Sequence, residues 1–134
     1  MKGWPDAARN GLSTKAWHWV NDTIKVSAID LADFTPTVSH DTRSDITAGV
    51  IAELTLTGKT VGTLGIGVAG HADGVFLAVS GDPFEQIVYW MDTGVASTSP
   101  IIIWNDDFPQ VVPNGTNIGL IVPNGVYGIN QVTP

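Results

Sequence analysis

Asp92-Thr93-Gly94 is the tripeptide in this chain with the most direct route to chemistry. It follows an apolar run over residues 86–91, where a turn would lift a carboxylate off the end of a strand. One such aspartate per protomer could form a dyad across a homodimer, two close carboxylates sharing one proton and activating water. Gly65-Ile66-Gly67-Val68-Ala69-Gly70 has the spacing G-x-G-x-x-G. Its physical use is to let the backbone approach a pyrophosphate at the N-terminus of a following helix. His71 with Asp73, and Asn105-Asp106-Asp107, offer ligand atoms to a hard cation, although either set alone supplies too few oxygens. His18 and His40 stand apart from any spaced carboxylates. With no cysteine in the chain, disulfides, thiolate metal sites and Cys nucleophiles are excluded.

The elements needed to position these groups decide between the readings. After Gly70 comes His71-Ala72-Asp73-Gly74 and then a strand pattern, so no helix is available to meet a pyrophosphate. The glycine spacing is read as chance in a glycine-rich stretch, and no cofactor is expected. Asp92-Thr93-Gly94 resembles the aspartic-protease signature, hydrophobic-hydrophobic-Asp-Thr-Gly. That family places its motif early, with a flap and a glycine-bearing strand plus helix downstream. Here 40 residues follow Gly94, and they read as a β-meander. Asp-Thr-Gly is also a good turn sequence in its own right. The expectation is therefore a protein that is not an enzyme, with no catalytic, cofactor-binding or metal-binding residue. The homodimeric protease and a carbohydrate-binding β-sandwich are the alternatives.

Val, Ile and Thr together supply 41 of the 134 residues, a composition that favours pleated sheet. Residues 23–31 begin with Ile24, Val26 and Ala28 on one face and Lys25 and Ser27 on the other. Residues 50–57 alternate more cleanly still, Val50, Ala52, Leu54 and Leu56 against Glu53, Thr55 and Thr57. Strands are also read over 75–79, 86–91, 100–105, 116–121 and 126–130. The turns between them are Ser80-Gly81-Asp82-Pro83, residues 92–99, and the repeated Val-Pro-Asn-Gly at 112–115 and 122–125. Residues 32–46 read as a long polar connection. The run at 86–91 is apolar on both faces, so Val88 and Trp90 cannot be told from Ile87 and Tyr89 as the core side.

The fold class expected is all-β, an antiparallel β-sandwich with a short helical or irregular N-terminal segment. Its core is expected to include Ile24, Val26, Leu54, Leu56, Val88, Trp90, Ile102 and Ile118. Residues 1–20 form an N-terminal arm and 21–134 a single β-sandwich domain. In the arm, Pro5 and Gly11 bracket one or two helical turns, and Ser13 could cap a second short turn. The arm also holds Trp4, Trp17 and Trp19. These tryptophans either lie over the end of the sheet or form a partner contact on a neighbouring subunit.

Only 14% of residues are charged, against roughly 25% in an ordinary soluble domain, so much of the surface is neutral. The net charge is −7, and residues 60–134 contain neither Lys nor Arg. A polyanion is repelled by that half, which argues against direct nucleic-acid binding. No apolar run reaches the length of a membrane span. The first residues lack the apolar stretch of a signal peptide, so folding in a cytoplasm is expected.

Several segments occur together in order. They are Asn21-Asp22-Thr23-Ile24-Lys25-Val26, Ile29-Asp30, Phe34-Thr35-Pro36, Ser44-Asp45-Ile46 and Leu56-Thr57-Gly58-Lys59-Thr60. Ala78-Val79-Ser80-Gly81, residues 88–100 and Val112-Pro113-Asn114-Gly115 follow. In this order the chain resembles a family of small β-rich structural proteins of tailed bacteriophages, over nearly all of its length after residue 20. It departs from that pattern at residues 69–74 and 122–125, both turns. The resemblance implies a non-enzymatic virion component, most readily a head decoration or minor capsid (cement) protein on the major capsid shell. A tail or neck accessory protein is the alternative. It further implies a homo-oligomer, partners among virion proteins, no membrane, and a virion location after synthesis in the host bacterial cytoplasm.

Overall fold

The computed structural model describes residues 18–62, 69–121 and 131–133. Within them the chain forms β1 (Ile24–Ile29), β2 (Val50–Thr55), β3 (Thr60–Val61), β4 (Ala69–Gly70), β5 (Gly74–Phe76), β6 (Gln86–Met91), β7 (Ile101–Asn105), β8 (Ile118–Ile121) and β9 (Gln131–Thr133). An antiparallel sheet of order β2-β1-β6-β7 stacks against a three-stranded sheet of order β5-β8-β9, with β3 and β4 paired beside them. The fold is an all-β antiparallel sandwich.

The alternation in β1 explains the stacking. Ile24, Val26 and Ala28 face inward with Ile87 and Tyr89 of β6, and they meet Phe76 of β5 and Ile118 and Leu120 of β8 in one core. Of the expected core residues, all are buried except Leu54, which is half-buried because β2 forms the edge of its sheet.

The two-faced apolar run in β6 has a physical cause that its periodicity could not supply. Both faces are covered. Ile87 and Tyr89 point into the sandwich, while Val88 and Trp90 join Ile29, Ile101 and Trp104 in a second core on the opposite face. That face is roofed by the connection after β1, whose Phe34 and Ile46 are buried against it. The segment read as a polar connection is thus a lid with two apolar anchors, and it contains a 3-10 helix, Arg43–Gly49. Asp45 fixes the start of this helix, its carboxylate accepting from the amides of Asp41 and Thr42 and from the Thr42 hydroxyl. Residues 41–43 also pair alongside the start of β7. The Arg43 amide donates to Ser99, the Ile101 amide donates to Asp41, and Thr42 bridges Pro100.

Gly49 is where the lid rejoins the sheet. A Cβ there would lie 2.6 Å from the Phe34 Cβ and 3.0 Å from the Asp30 carbonyl oxygen, which leaves no room for a methyl group. Gly49→Ala is expected to destabilise the fold by about 1–3 kcal/mol, the usual range for overpacking a filled site. Urea unfolding measures this, and an unchanged midpoint would show that the lid is not closely seated.

The strand read over 75–79 ends at Phe76. Ala78 adopts φ 47°, the left-handed region, and its amide donates to the Asn117 side chain 2.9 Å away. Val79 then pairs with the neighbouring turn through Val79 N–H to Thr116 O and Gly115 N–H to Val79 O. A non-glycine residue in this conformation costs about 1–3 kcal/mol, so the bend is held by these contacts. The first Val-Pro-Asn-Gly repeat forms a turn, with Gly115 at φ 84° and the Asn114 side chain accepting from the Thr116 amide. The second repeat, the strand read at 126–130 and the helical turns read in residues 1–17 lie outside the described residues.

Candidate interaction surface

Asp92-Thr93-Gly94 forms a closed turn with its own partners. One Asp92 carboxylate oxygen accepts from the Gly94 amide at 2.8 Å, and Gly94 takes φ 87° to complete the bend. The other oxygen lies 2.8 Å from the Lys25 ammonium. Thr93 ties the turn to Thr98 and Ser99 through its hydroxyl. The hydrogen bond from Lys25, helped by the Gly94 amide, holds the Asp92 carboxyl below the usual carboxylate range. Both oxygens of this carboxylate are thus engaged within the turn and with Lys25. Ala69 and Gly70, at the end of the glycine-spaced motif, lie in β4, and the chain runs from there into β5 without a helix.

Trp19 belongs to the body of the protein. It is 5% exposed, its indole N–H donates to the Gly70 carbonyl at 3.0 Å, and its ring packs beside Tyr89 and His71. Trp4 and Trp17 lie outside the described residues. His71 is buried in the same cluster. Its Nδ1–H donates to the Ala72 carbonyl, which leaves Nε2 to accept from the Tyr89 hydroxyl at 3.1 Å.

Burial depresses the His71 pKa below its ordinary 6.5, against smaller opposing effects from the Ala72 carbonyl and Asp73. The unfolded chain therefore takes up a proton that the folded chain resists, and stability falls as pH drops through 6.5 toward the lower folded value. His71→Asn keeps a donor for Ala72 and removes the titration. The wild type is expected to lose more stability than this variant between pH 7.5 and 5.5, measured by urea midpoints. Parallel losses would remove His71 from the effect.

Two polar clusters join residues far apart in sequence. Asp30, Asp33 and Asp82 bring carboxylate oxygens within 4.8 Å of one another, a grouping distinct from the cation candidates read in the sequence. Asp33 and Asp82 are exposed, and Asp30 already accepts from the Ala32 amide. Of the sequence candidates, Asn105 caps its own turn by accepting from the Asp107 amide, and His71 is occupied as described. The second cluster surrounds Trp90. Lys25 and Arg43 each lie 5.5 Å from its ring centre, paired respectively with Asp92 and Glu53, and its indole N–H donates to Ser27. These charged side chains line a groove of about 460 Å³ that also reaches Thr47, Gly94 and Ala96.

An open margin of mixed character lies elsewhere, along the side of the sandwich where β2 and β5 form the margins of their sheets. Among the described residues neither outer edge has a strand partner. The two margins touch, since a Cβ on Gly74 would lie 3.2 Å from the Leu54 methyl groups. Between them runs an open groove of about 470 Å³ lined by Ile51, Ala52, Leu54, Val75, Leu77 and Val79, with polar residues interspersed. Leu77 is 75% exposed and Val75 47%. The only charged residue in the groove is Glu53, which is paired with Arg43.

No protein-family model matches the chain, and no curated protein matches it. The groove is thus read from its own physics. Alternation in β2 showed a wet face, but not that its outer edge has no strand partner among the described residues. Nor did the sequence show that the bend at Ala78 turns Leu77 outward, because positive φ at alanine has no sequence signature.

Proposed function

We propose that the protein is a non-enzymatic structural subunit of a tailed-bacteriophage virion, a head decoration or minor capsid protein that binds the major capsid shell. The observation that carries this reading is the open margin along β2 and β5, whose one charged residue, Glu53, is paired with Arg43, on a chain of net charge −7. Such a margin suits burial against another protein, and symmetry repeats modest contacts into strong attachment. The ordered resemblance to small phage structural proteins supplies the virion context. The closed, lysine-paired Asp92 turn supports a structural use of that motif.

Imaging virions that lack the gene tests the assignment. Heads that assemble but lose resistance to heat and chelators are the expected result. Heads of normal resistance with defective tails would overturn it in favour of a tail or neck accessory protein.

A carbohydrate-binding reading draws on a different observation, the groove that sets Lys25, Arg43, Glu53 and Asp92 around Trp90. Paired charges beside an aromatic ring can hydrogen-bond hydroxyls. Trp90 is 4% exposed, so a sugar would have to displace Lys25 or Arg43 to stack on it. A glycan array with the wild type and Trp90→Phe tests it, and binding lost in the variant would favour this reading.

A further inference from the structure

We propose that residues 33–40 form a hinged plug that opens by itself, lifting the Phe34 ring off Trp104 while the sandwich and the rest of the lid stay folded. This opening is independent of the virion reading, because it concerns only how one face of the fold is closed. Three features of the lid carry it.

The first is an unmet donor. Trp104 is 1% exposed, and its indole N–H is the one buried side-chain polar group without a hydrogen-bond partner among the described residues. The other two described indoles are both met, Trp19 by the Gly70 carbonyl and Trp90 by the Ser27 hydroxyl. Burying a donor unmet favours any state that brings it to water by about tenfold or more. The closed plug carries that cost, and an open one relieves it.

The second is the ring that covers it. Phe34 lies nearly parallel to Trp104, with 6.3 Å between ring centres and 11° between planes. A phenyl ring stacked in this way keeps water off the indole and supplies no acceptor for its N–H. Across residues 32–45 Phe34 is the only buried residue.

The third is where the lid is fastened. At its start the Asp30 amide donates to the Gly49 carbonyl and the Leu31 amide to the Glu85 carboxylate. At its far end the Ile101 amide donates to Asp41, the Arg43 amide donates to Ser99, and Ile46 is wholly buried. Between these anchorages the loop bonds to itself. The His40 amide donates to the Thr37 carbonyl, the Thr37 amide donates to the His40 ring, and the Thr37 and Ser39 hydroxyls pair. His40 also packs on Phe34, 4.8 Å between ring centres. A loop with tied ends and internal bonds moves as one unit, and the packing of Phe34 is what holds its middle down.

Hydrogen exchange of the indole N–H groups tests the plug, read by NMR on the whole chain and assigned with single Trp→Phe variants. Burial alone would make Trp104 the slowest of the three, since Trp90 is 4% exposed and Trp19 5%. The plug reverses that order. Trp104 is expected to exchange at least about tenfold faster than either. Its rate is expected to stay nearly flat in urea below the unfolding transition, because a local opening exposes little surface. A Trp104 that exchanges no faster than Trp90, or that shares its urea dependence, would overturn the proposal. Thr37→Gly separates opening of the plug from exchange of an unbonded donor in place. Thr37 is exposed and touches neither ring, and glycine there loosens the loop. Trp104 exchange is expected to rise about two- to fivefold in this variant. An unchanged rate would mean that the loop does not gate Trp104, which also overturns the proposal.

Discussion

Trp19→Ala is expected to lower the stability of the fold by about 3–5 kcal/mol, the range for emptying a buried aromatic site. Two contributions add. The indole packs against Tyr89 and His71, so truncation opens a cavity at the end of the main core. The Gly70 carbonyl also loses the donor that satisfies it in a buried setting. Trp19→Phe keeps most of the volume and gives up the hydrogen bond, so its loss should be clearly smaller. Removing residues 1–19 takes Trp19 away and should lower the urea midpoint at least as far as Trp19→Ala does. A truncated chain that unfolds at the wild-type midpoint would show that Trp19 does not hold the end of the sheet.

The strands that fill the sandwich were legible because their patterns are local. β1 and β2 alternate, and β6 and β7 are apolar runs bounded by turn residues, so their positions follow from periodicity. Local pattern could not reveal which runs are buried on both sides. The apolar β6 required a second cover, and the cover came from a connection whose composition is mostly polar but whose two apolar residues, Phe34 and Ile46, are spaced to reach the sheet. Trp19 was ambiguous for a similar reason. An aromatic outside any strand pattern can fold back or reach out, and only its acceptor, Gly70, decides.

The candidate surfaces were less legible than the fold. Asp92-Thr93-Gly94 drew attention as a motif, yet its partner Lys25 lies on a different strand and converts it into an ion-paired turn. Asp30, Asp33 and Asp82 approach one another across some fifty residues of sequence, so no spacing rule could gather them. The open margin depends on strand order: β2 is an edge only because β1 sits between it and β6.

The lid over the second face leads to the other large effect. Ile46→Ala is expected to cost about 2–5 kcal/mol, as for other fully buried aliphatic truncations. Ile46 is wholly buried, although it sits in a short 3-10 helix where sequence alone would place an ordinary surface residue. Its removal loosens the lid from Ile29, Val88 and Trp104, and with it the stacked contact between Phe34 and Trp104. Leu77→Ala is the informative comparison. Leu77 is as apolar and three-quarters exposed, so in the monomer its truncation should change stability by no more than about 0.5 kcal/mol. The two variants therefore separate burial from hydrophobicity. Urea unfolding at a concentration where the protein is monomeric reads the difference. A small loss at Ile46 would mean that the second core contributes little and that the lid can lift from the sheet. A large loss at Leu77 in the monomer would mean that this side chain serves the fold before it serves any partner.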